Sequence, residues 1–126
     1  MSGAGLRDES KTEAAGILKR IRGHWFVIFE QIDENRNKTR TNIRITPERF
    51  ELTRSGAIQT RMIFESGVRT RCEYNAGYGS IMLDIETYRY DIEADENSIA
   101  VRLGYRMSAE GGGPADYRIA LTAEMK

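Results

Sequence analysis

A chain of 126 residues can bury one hydrophobic core but not two, so the sequence describes a single domain. Its 19 Lys and Arg residues balance 19 Asp and Glu residues, and a net charge of zero argues against nucleic acid or an anionic membrane as partner. Cys72 is the only cysteine and His24 the only histidine, which excludes an intramolecular disulfide, a thiolate metal cluster and a site of several histidines. We therefore expect no metal and no cofactor.

The N-terminal region carries no targeting signal that we recognise. It lacks the apolar core of a signal peptide, and no later stretch reaches the length of a membrane span. We expect a cytoplasmic, soluble protein with no membrane contact. Residues 1–15 are predicted to form a polar, disordered tail before a single domain over residues 16–126.

Residues 10–22 permit two structures. The sequence from Ser10 to Glu13 fits a helix capping box, and Ile17, Leu18 and Ile21 recur at helical spacing. The same residues also alternate as a strand would, since Ile17, Lys19 and Ile21 share one parity. Both interpretations stay open on this pattern alone.

From Thr39 to Met125 polar and apolar residues alternate with period two. One example is the set of alternate residues Thr39, Thr41, Ile43 and Ile45, which would share one face of a strand. Successive side chains of a strand point to opposite faces, so each strand buries one row and exposes the other. This alternation is typical of antiparallel sheets, whereas parallel sheets show continuous apolar runs.

Turn residues predict how these strands pair. Pro47 and Glu48 form a turn that sets Ile45 opposite Phe50, Ile43 opposite Leu52 and Arg44 opposite Glu51. Loops ending in Gly56 and Gly67 have the pattern of three-residue hairpin loops, which predicts Leu52 opposite Ile58 and Phe64 opposite Val68.

The later strands follow in the same way. A four-residue loop over Asn75–Tyr78 predicts Cys72 opposite Ile81 and Arg69 opposite Asp84. The inward row then changes from odd to even positions between Thr87 and Tyr88, which indicates a β-bulge. With that change, Tyr88 faces Tyr105. Consecutive hairpins imply a meander, so the sequence predicts an all-β, antiparallel, up-and-down β-barrel.

Residues spread over most of the chain resemble the YwiB-like family of calycin-type, lipocalin-like β-barrels. They are Arg54-Ser55-Gly56, Phe64, Tyr74, Tyr78-Gly79, Leu83, Ile85, Thr87 and Leu103-Gly104-Tyr105. The resemblance is strongest over residues 43–107 and extends weakly over residues 16–125. The family is a domain of unknown function, so it implies no catalytic or binding residue.

The resemblance does imply a small closed barrel in which Gly16–Arg22 is a strand paired with His24–Gln31. Family members begin with an additional strand, which we expect to be absent here. That strand would lie between Gly16–Arg22 and Tyr117–Met125, so the barrel is expected to be incompletely closed. Open strand edges favour dimerisation.

The inward row predicts a binding site for a small, largely apolar ligand, because barrels of this size can enclose one and their pockets contain a few polar groups. The candidate ligand-binding residues are Thr60, Thr70, Tyr74, Tyr88, Tyr90, Tyr105 and Tyr117. The alternative is that the rings fill the centre and the hydroxyls bond the backbone.

Two pairs of outward arginines suggest a different partner. The predicted registers set Arg61 opposite Arg71 and Arg106 opposite Arg118, and opposed like charges are destabilising. Either neighbouring carboxylates relieve the repulsion, or the pairs contact an anion or RNA.

These patterns support several functional hypotheses, which we rank by the strength of the sequence pattern behind each. Ligand binding inside the barrel comes first, and association through Trp25–Phe29, apolar on both faces, or through the open edges comes second. An anion or RNA contact comes third. An enzyme is expected least, since no paired titratable groups converge in the inward row.

Overall fold

The computed structural model describes residues 16–32, 34–75, 77, 79–109 and 112–124. This part of the chain forms nine antiparallel strands in chain order, each paired with the next. The strands are β1 (Gly16–Ile21), β2 (His24–Ile32), β3 (Lys38–Ile45), β4 (Phe50–Gly56), β5 (Gln59–Phe64), β6 (Arg69–Asn75), β7 (Ser80–Ala94), β8 (Ser98–Ala109) and β9 (Ala115–Glu124). The meander is confirmed, and the sheet curls into a calycin-like open barrel.

The first described segment is a strand rather than a helix. Arg22 and Gly23 both have positive φ, at 52° and 81°, and these values form the tight turn that sets Ile21 opposite His24. The strand that the family resemblance implied is thus confirmed. The predicted tail, and the helix start at Ser10, lie outside the described residues.

The barrel is open between its two terminal strands. Among the described residues β1 pairs only with β2 and β9 only with β8, so each has an unpaired edge. This agrees with the incomplete closure that the sequence analysis expects. The residues that precede β1, where an additional first strand would lie, are outside the described part.

The predicted registers are correct up to β4 and then shift. Ile45 lies opposite Phe50 and Arg44 opposite Glu51, as predicted. The register of Leu52 with Ile58 is wrong, because Leu52 lies opposite Met62. β4 continues to Gly56, so the turn falls two residues later than the three-residue loop required.

The next two registers are each displaced by two residues. Thr60 lies opposite Tyr74, and Val68 lies outside the strands, so the pairing of Phe64 with Val68 is wrong. Cys72 lies opposite Leu83. Arg69 accordingly faces Glu86 instead of Asp84, and Arg71 faces Asp84. Since the shift is two residues, it moves no side chain of β5 or β6 to the other face.

The bulge in β7 is confirmed, but its extra residue points outward. The register with β8 shifts between Thr87 and Arg89. Thr87 takes the position opposite Tyr105, and Tyr88 is 54% exposed, so the pairing of Tyr88 with Tyr105 is wrong. The Tyr88 ring covers Gly104 on the outer wall, where a Cβ atom would lie 2.8 Å from its Cε1 atom.

A chain of aromatic rings joins the two halves of the curled sheet. Phe50 and Phe64 contact edge to face at 5.8 Å between centroids, and Phe64 contacts Tyr105 at 4.8 Å. Tyr105 stacks on Tyr117 at 5.5 Å. These contacts connect β4 and β5 with β8 and β9, which the hydrogen-bonded ladders do not connect directly. We call the four residues the aromatic chain.

Candidate functional site

One row of inward-facing residues runs across six consecutive strands near one end of the barrel. Each lies directly opposite the next, from β2 to β7. We call this set the mouth row, and it consists of Phe29, Thr41, Arg54, Thr60, Tyr74 and Ile81. Residues on neighbouring strands that oppose each other have Cβ atoms about 4.5–5.5 Å apart, so their side chains form a contiguous surface.

Arg54 is the unusual member of the mouth row. It has the same parity on β4 as the buried Phe50 and Leu52, so its side chain starts on the core face. Its Nε atom is buried and has no hydrogen-bond partner. The opposing Thr41 is fully buried at 0% exposure, and its Oγ1 atom also lacks a partner. Two adjacent donors are therefore unsatisfied.

The mouth row opens to solvent at its β7 end. Ile81 continues the inward parity of the buried Leu83 and Ile85, yet it is 52% exposed. Tyr74, which lies opposite, is half-buried. Ile81 is therefore an apolar side chain of the inward row that meets water.

Several of the predicted ligand-binding hydroxyls bond the backbone instead. Thr60 donates to the carbonyl of Glu73 at 2.9 Å, and Thr70 donates to the carbonyl of Ile63 at 2.8 Å. Tyr90 donates to the carbonyl of Thr46 at 2.7 Å. Burial raises the pKa of the Tyr90 hydroxyl, which keeps it protonated and able to donate.

The other predicted tyrosines divide between the core and the outer wall. Tyr105 and Tyr117 belong to the aromatic chain, while Tyr88 faces outward. Of the seven residues predicted for ligand binding, the mouth row therefore unites Thr60 with Tyr74 and leaves the rest elsewhere. Around the aromatic chain, rings fill the centre of the barrel, as the alternative interpretation predicted.

The sequence prediction missed Arg54 as a candidate site residue. The sequence does contain a pattern that sets Arg54 inward, because Phe50, Leu52 and Arg54 share one parity. The following Ser55-Gly56 resembled a hairpin loop, and a turn residue has no defined face. Extension of β4 to Gly56 is what turns Arg54 inward.

Comparisons with known proteins place the chain in a family. A family model described as Domain of unknown function (DUF1934) matches residues 2–121. The chain belongs to the DUF1934 family. Its structure is similar to the crystal structure of the YwiB protein from Bacillus subtilis, with a TM-score of 0.75 and 19% sequence identity over 88% of this chain and 75% of that one. No curated protein matches.

The similarity to YwiB shows the fold of this DUF1934 protein. Both findings confirm the predicted membership of a YwiB-like family of unknown function. In the described part of the chain we find no helix long and apolar enough to cross a membrane.

Three of the four outward arginines that the sequence singled out in this DUF1934 protein are paired with carboxylates. Arg61 contacts Glu51 at 3.1 Å and Arg71 contacts Asp84 at 3.1 Å. Arg106 lies opposite Asp116, at 2.9 Å, rather than opposite Arg118.

The predicted like-charge pairs are consequently wrong, because Arg118 faces Gly104 and the β5–β6 register separates Arg61 from Arg71. The repulsion that motivated an anion or RNA contact on the outer wall is relieved by neighbouring carboxylates. That contact itself stays a prediction.

The remaining chemical groups have structural roles. Cys72 is buried, and desolvation raises the pKa of its thiol, so the nucleophilic thiolate is disfavoured. Arg44 Nη2 lies 3.0 Å from His24 Nδ1 on the outer wall. Within the ranges that the structure describes, no three His, Cys, Asp or Glu residues are grouped to hold a metal ion.

A surface concavity at the β7–β8 turn is lined by Asp95, Ser98 and Glu124 among others. Asp95 Oδ1 accepts hydrogen bonds from the backbone N–H groups of Asn97 and Ser98, and these bonds lower the pKa of the Asp95 carboxyl. The carboxylate thus stabilises its own turn, and the concavity is a consequence of the hairpin.

The segment Trp25–Phe29 is only partly available for association. Trp25 and Val27 face inward and are buried, and the guanidinium of Arg20 lies 5.3 Å from the Trp25 ring. Phe26 and Ile28 face outward and are half-buried. Hence only the outer row of this predicted contact segment can meet a partner.

Proposed function

We propose that this DUF1934 protein binds a small, largely apolar molecule on the concave face of its open barrel and catalyses no reaction. The observation that carries the proposal is the exposure of Ile81 on the inward face, at the end of the mouth row. A ligand that covered Ile81 would remove its apolar surface from water, at about 25 cal/mol per Å².

The composition of the concave face supports a binding role. Along the mouth row it presents the apolar Phe29, Tyr74 and Ile81, together with the polar side chains of Thr41 and Arg54. Ligand pockets combine mainly apolar walls with a few polar groups that orient the ligand. In the nine described strands no carboxylate and no imidazole faces inward, so the concave face offers no general acid or base of the usual kind.

Binding of an uncharged fluorescent probe tests this proposal. We expect N-phenyl-1-naphthylamine to bind with enhanced fluorescence, and Ile81→Glu to weaken its binding about tenfold by placing a charge on the apolar wall. Ile32→Glu is the matched control, because Ile32 is exposed on the outer face. Native mass spectrometry of protein from its own host should show a bound small molecule. Absence of probe binding, or equal loss in both variants, would contradict the proposal.

A second candidate function is self-association through the open edge of β1. Ile17 and Ile21 face outward on this edge strand and are 52% and 53% exposed. Unpaired strand edges beside apolar side chains are common sites of strand pairing between chains.

Light scattering at micromolar concentration tests the association. We expect a dimer that dissociates when Ile17→Lys and Ile21→Lys are combined, since the two charges would lie beside the new ladder. The Ile32→Lys variant should remain dimeric. A monomeric wild-type protein would argue against this second role while leaving ligand binding intact.

A further inference from the structure

We infer that the molecule bound in the open barrel carries a carboxylate, and that Arg54 and Thr41 hold it. The inference rests on the proposed function and specifies its ligand as an apolar monocarboxylate. It starts from two opposed side chains of the mouth row, Arg54 and Thr41, whose buried Nε and Oγ1 atoms have no hydrogen-bond partner in the described protein.

Arg54 lacks the carboxylate partner that seven arginines outside the core have. On the outer wall, guanidinium groups lie within 4 Å of carboxylates at Arg44, Arg49, Arg61, Arg69, Arg71, Arg89 and Arg106. Arg54 forms no such pair with any described residue, and no carboxylate faces inward beside it. An arginine stays protonated in proteins, so an anion beside Arg54 would stabilise its partly buried charge.

The donor geometry fits a carboxylate. The Nε–H and one Nη–H of a guanidinium form a planar fork that matches two carboxylate oxygens. Thr41, opposite on β3, adds a hydroxyl that is fully buried and unpartnered. The single positive charge of Arg54 neutralises a monoanion, whereas a phosphate dianion would keep an excess negative charge.

The remaining members of the row suit the apolar part of the ligand. From Arg54 the row continues through Thr60, whose hydroxyl is occupied by the Glu73 carbonyl, to Tyr74 and the exposed Ile81. A carboxylate at Arg54 therefore places an attached hydrocarbon body toward the open end of the barrel. The carboxylate of such a molecule would contact Arg54, and its hydrocarbon body would contact Tyr74 and Ile81.

Competition experiments with a matched pair of ligands test the inference. Decanoate and decan-1-ol have the same chain and differ in charge, and each is used to displace N-phenyl-1-naphthylamine at neutral pH. We expect the wild-type protein to bind decanoate at least about tenfold more tightly than decan-1-ol, since a charge-assisted pair contributes that much or more.

Two variants and one control test whether Arg54 and Thr41 cause the preference for decanoate. Arg54→Met should abolish the preference for decanoate and raise the urea midpoint of unfolding, because it replaces an unpaired, partly buried charge with an apolar side chain. Thr41→Val should reduce the preference while keeping the shape of the residue. Arg40→Gln, which removes the same charge from the outer face of β3, should leave the preference unchanged.

These measurements distinguish failure of the carboxylate site from failure of ligand binding as a whole. Equal affinity of the wild type for the two ligands, or an unchanged preference in Arg54→Met, overturns the carboxylate site while probe binding still supports the proposed function. Failure of the neutral probe and of both ligands to bind overturns both.

Discussion

Replacement of Phe64 by alanine is expected to lower the free energy of unfolding by about 3–5 kcal/mol. Phe64 is fully buried and contacts Phe50 on one side and Tyr105 on the other. The substitution leaves a cavity where the two halves of the curled sheet meet. Aromatic pairs also contribute about 0.5–1.5 kcal/mol beyond the buried area. Urea unfolding monitored by circular dichroism measures the loss.

The control for this prediction is an apolar residue outside the core. Ile17→Ala removes a side chain that is largely exposed on β1, and such substitutions usually change stability by no more than about 0.5 kcal/mol. Phe64→Leu should lose less than Phe64→Ala because it retains most of the buried volume. Similar losses for Phe64→Ala and Ile17→Ala would contradict the role assigned to the aromatic chain.

Replacement of Gly56 by alanine is expected to cost about 3 kcal/mol or more. Gly56 has φ of 111°, a conformation that residues with a side chain rarely adopt. A Cβ atom there would also lie 2.3 Å from the carbonyl oxygen of Lys38, a backbone atom of the paired strand β3. Both the backbone strain and the collision disturb the end of β4.

Gly67→Ala separates these two effects. Gly67 has φ of 80°, and a Cβ atom there would meet nothing within 4 Å. It should therefore cost only the left-handed backbone conformation, about 1–2 kcal/mol. Thermal or urea unfolding of both variants compares them directly. A loss for Gly56→Ala no larger than that for Gly67→Ala would show that the Lys38 carbonyl moves aside easily.

The faces of the strands could be predicted from the sequence, because covalent geometry fixes the period of two. Thr41, Ile43, Leu83 and Ile85 are buried as their parity required. The β3–β4 register was also predictable, since Pro47 restricts where its turn can lie.

The later registers could not be predicted in the same way. A shift of two residues leaves every side chain on its face, so the alternation contains no information that distinguishes the two registers. Only turn geometry does so, and Ser55-Gly56 is compatible both with a loop and with the end of a strand.

Only part of the candidate site could be predicted, because the alternation gives the face of a residue but not the position of the turns. Thr60 and Tyr74 were found because their parity alone sets them inward. Arg54 was missed because its residue type favours solvent and its neighbours favour a turn. Tyr88 was misplaced because a change of phase locates a bulge but does not say on which face the extra residue lies.

The strictly sequential pairing of the nine strands has a consequence for how the chain folds. Every ladder joins neighbours in the sequence, so strands can be added one hairpin at a time, and loop closure costs little at each step. The contacts that curl the sheet are the distant ones, from Tyr90 to the Thr46 carbonyl and from Phe64 to Tyr105. We expect these contacts to form last, which makes curling of the sheet the slow step of folding.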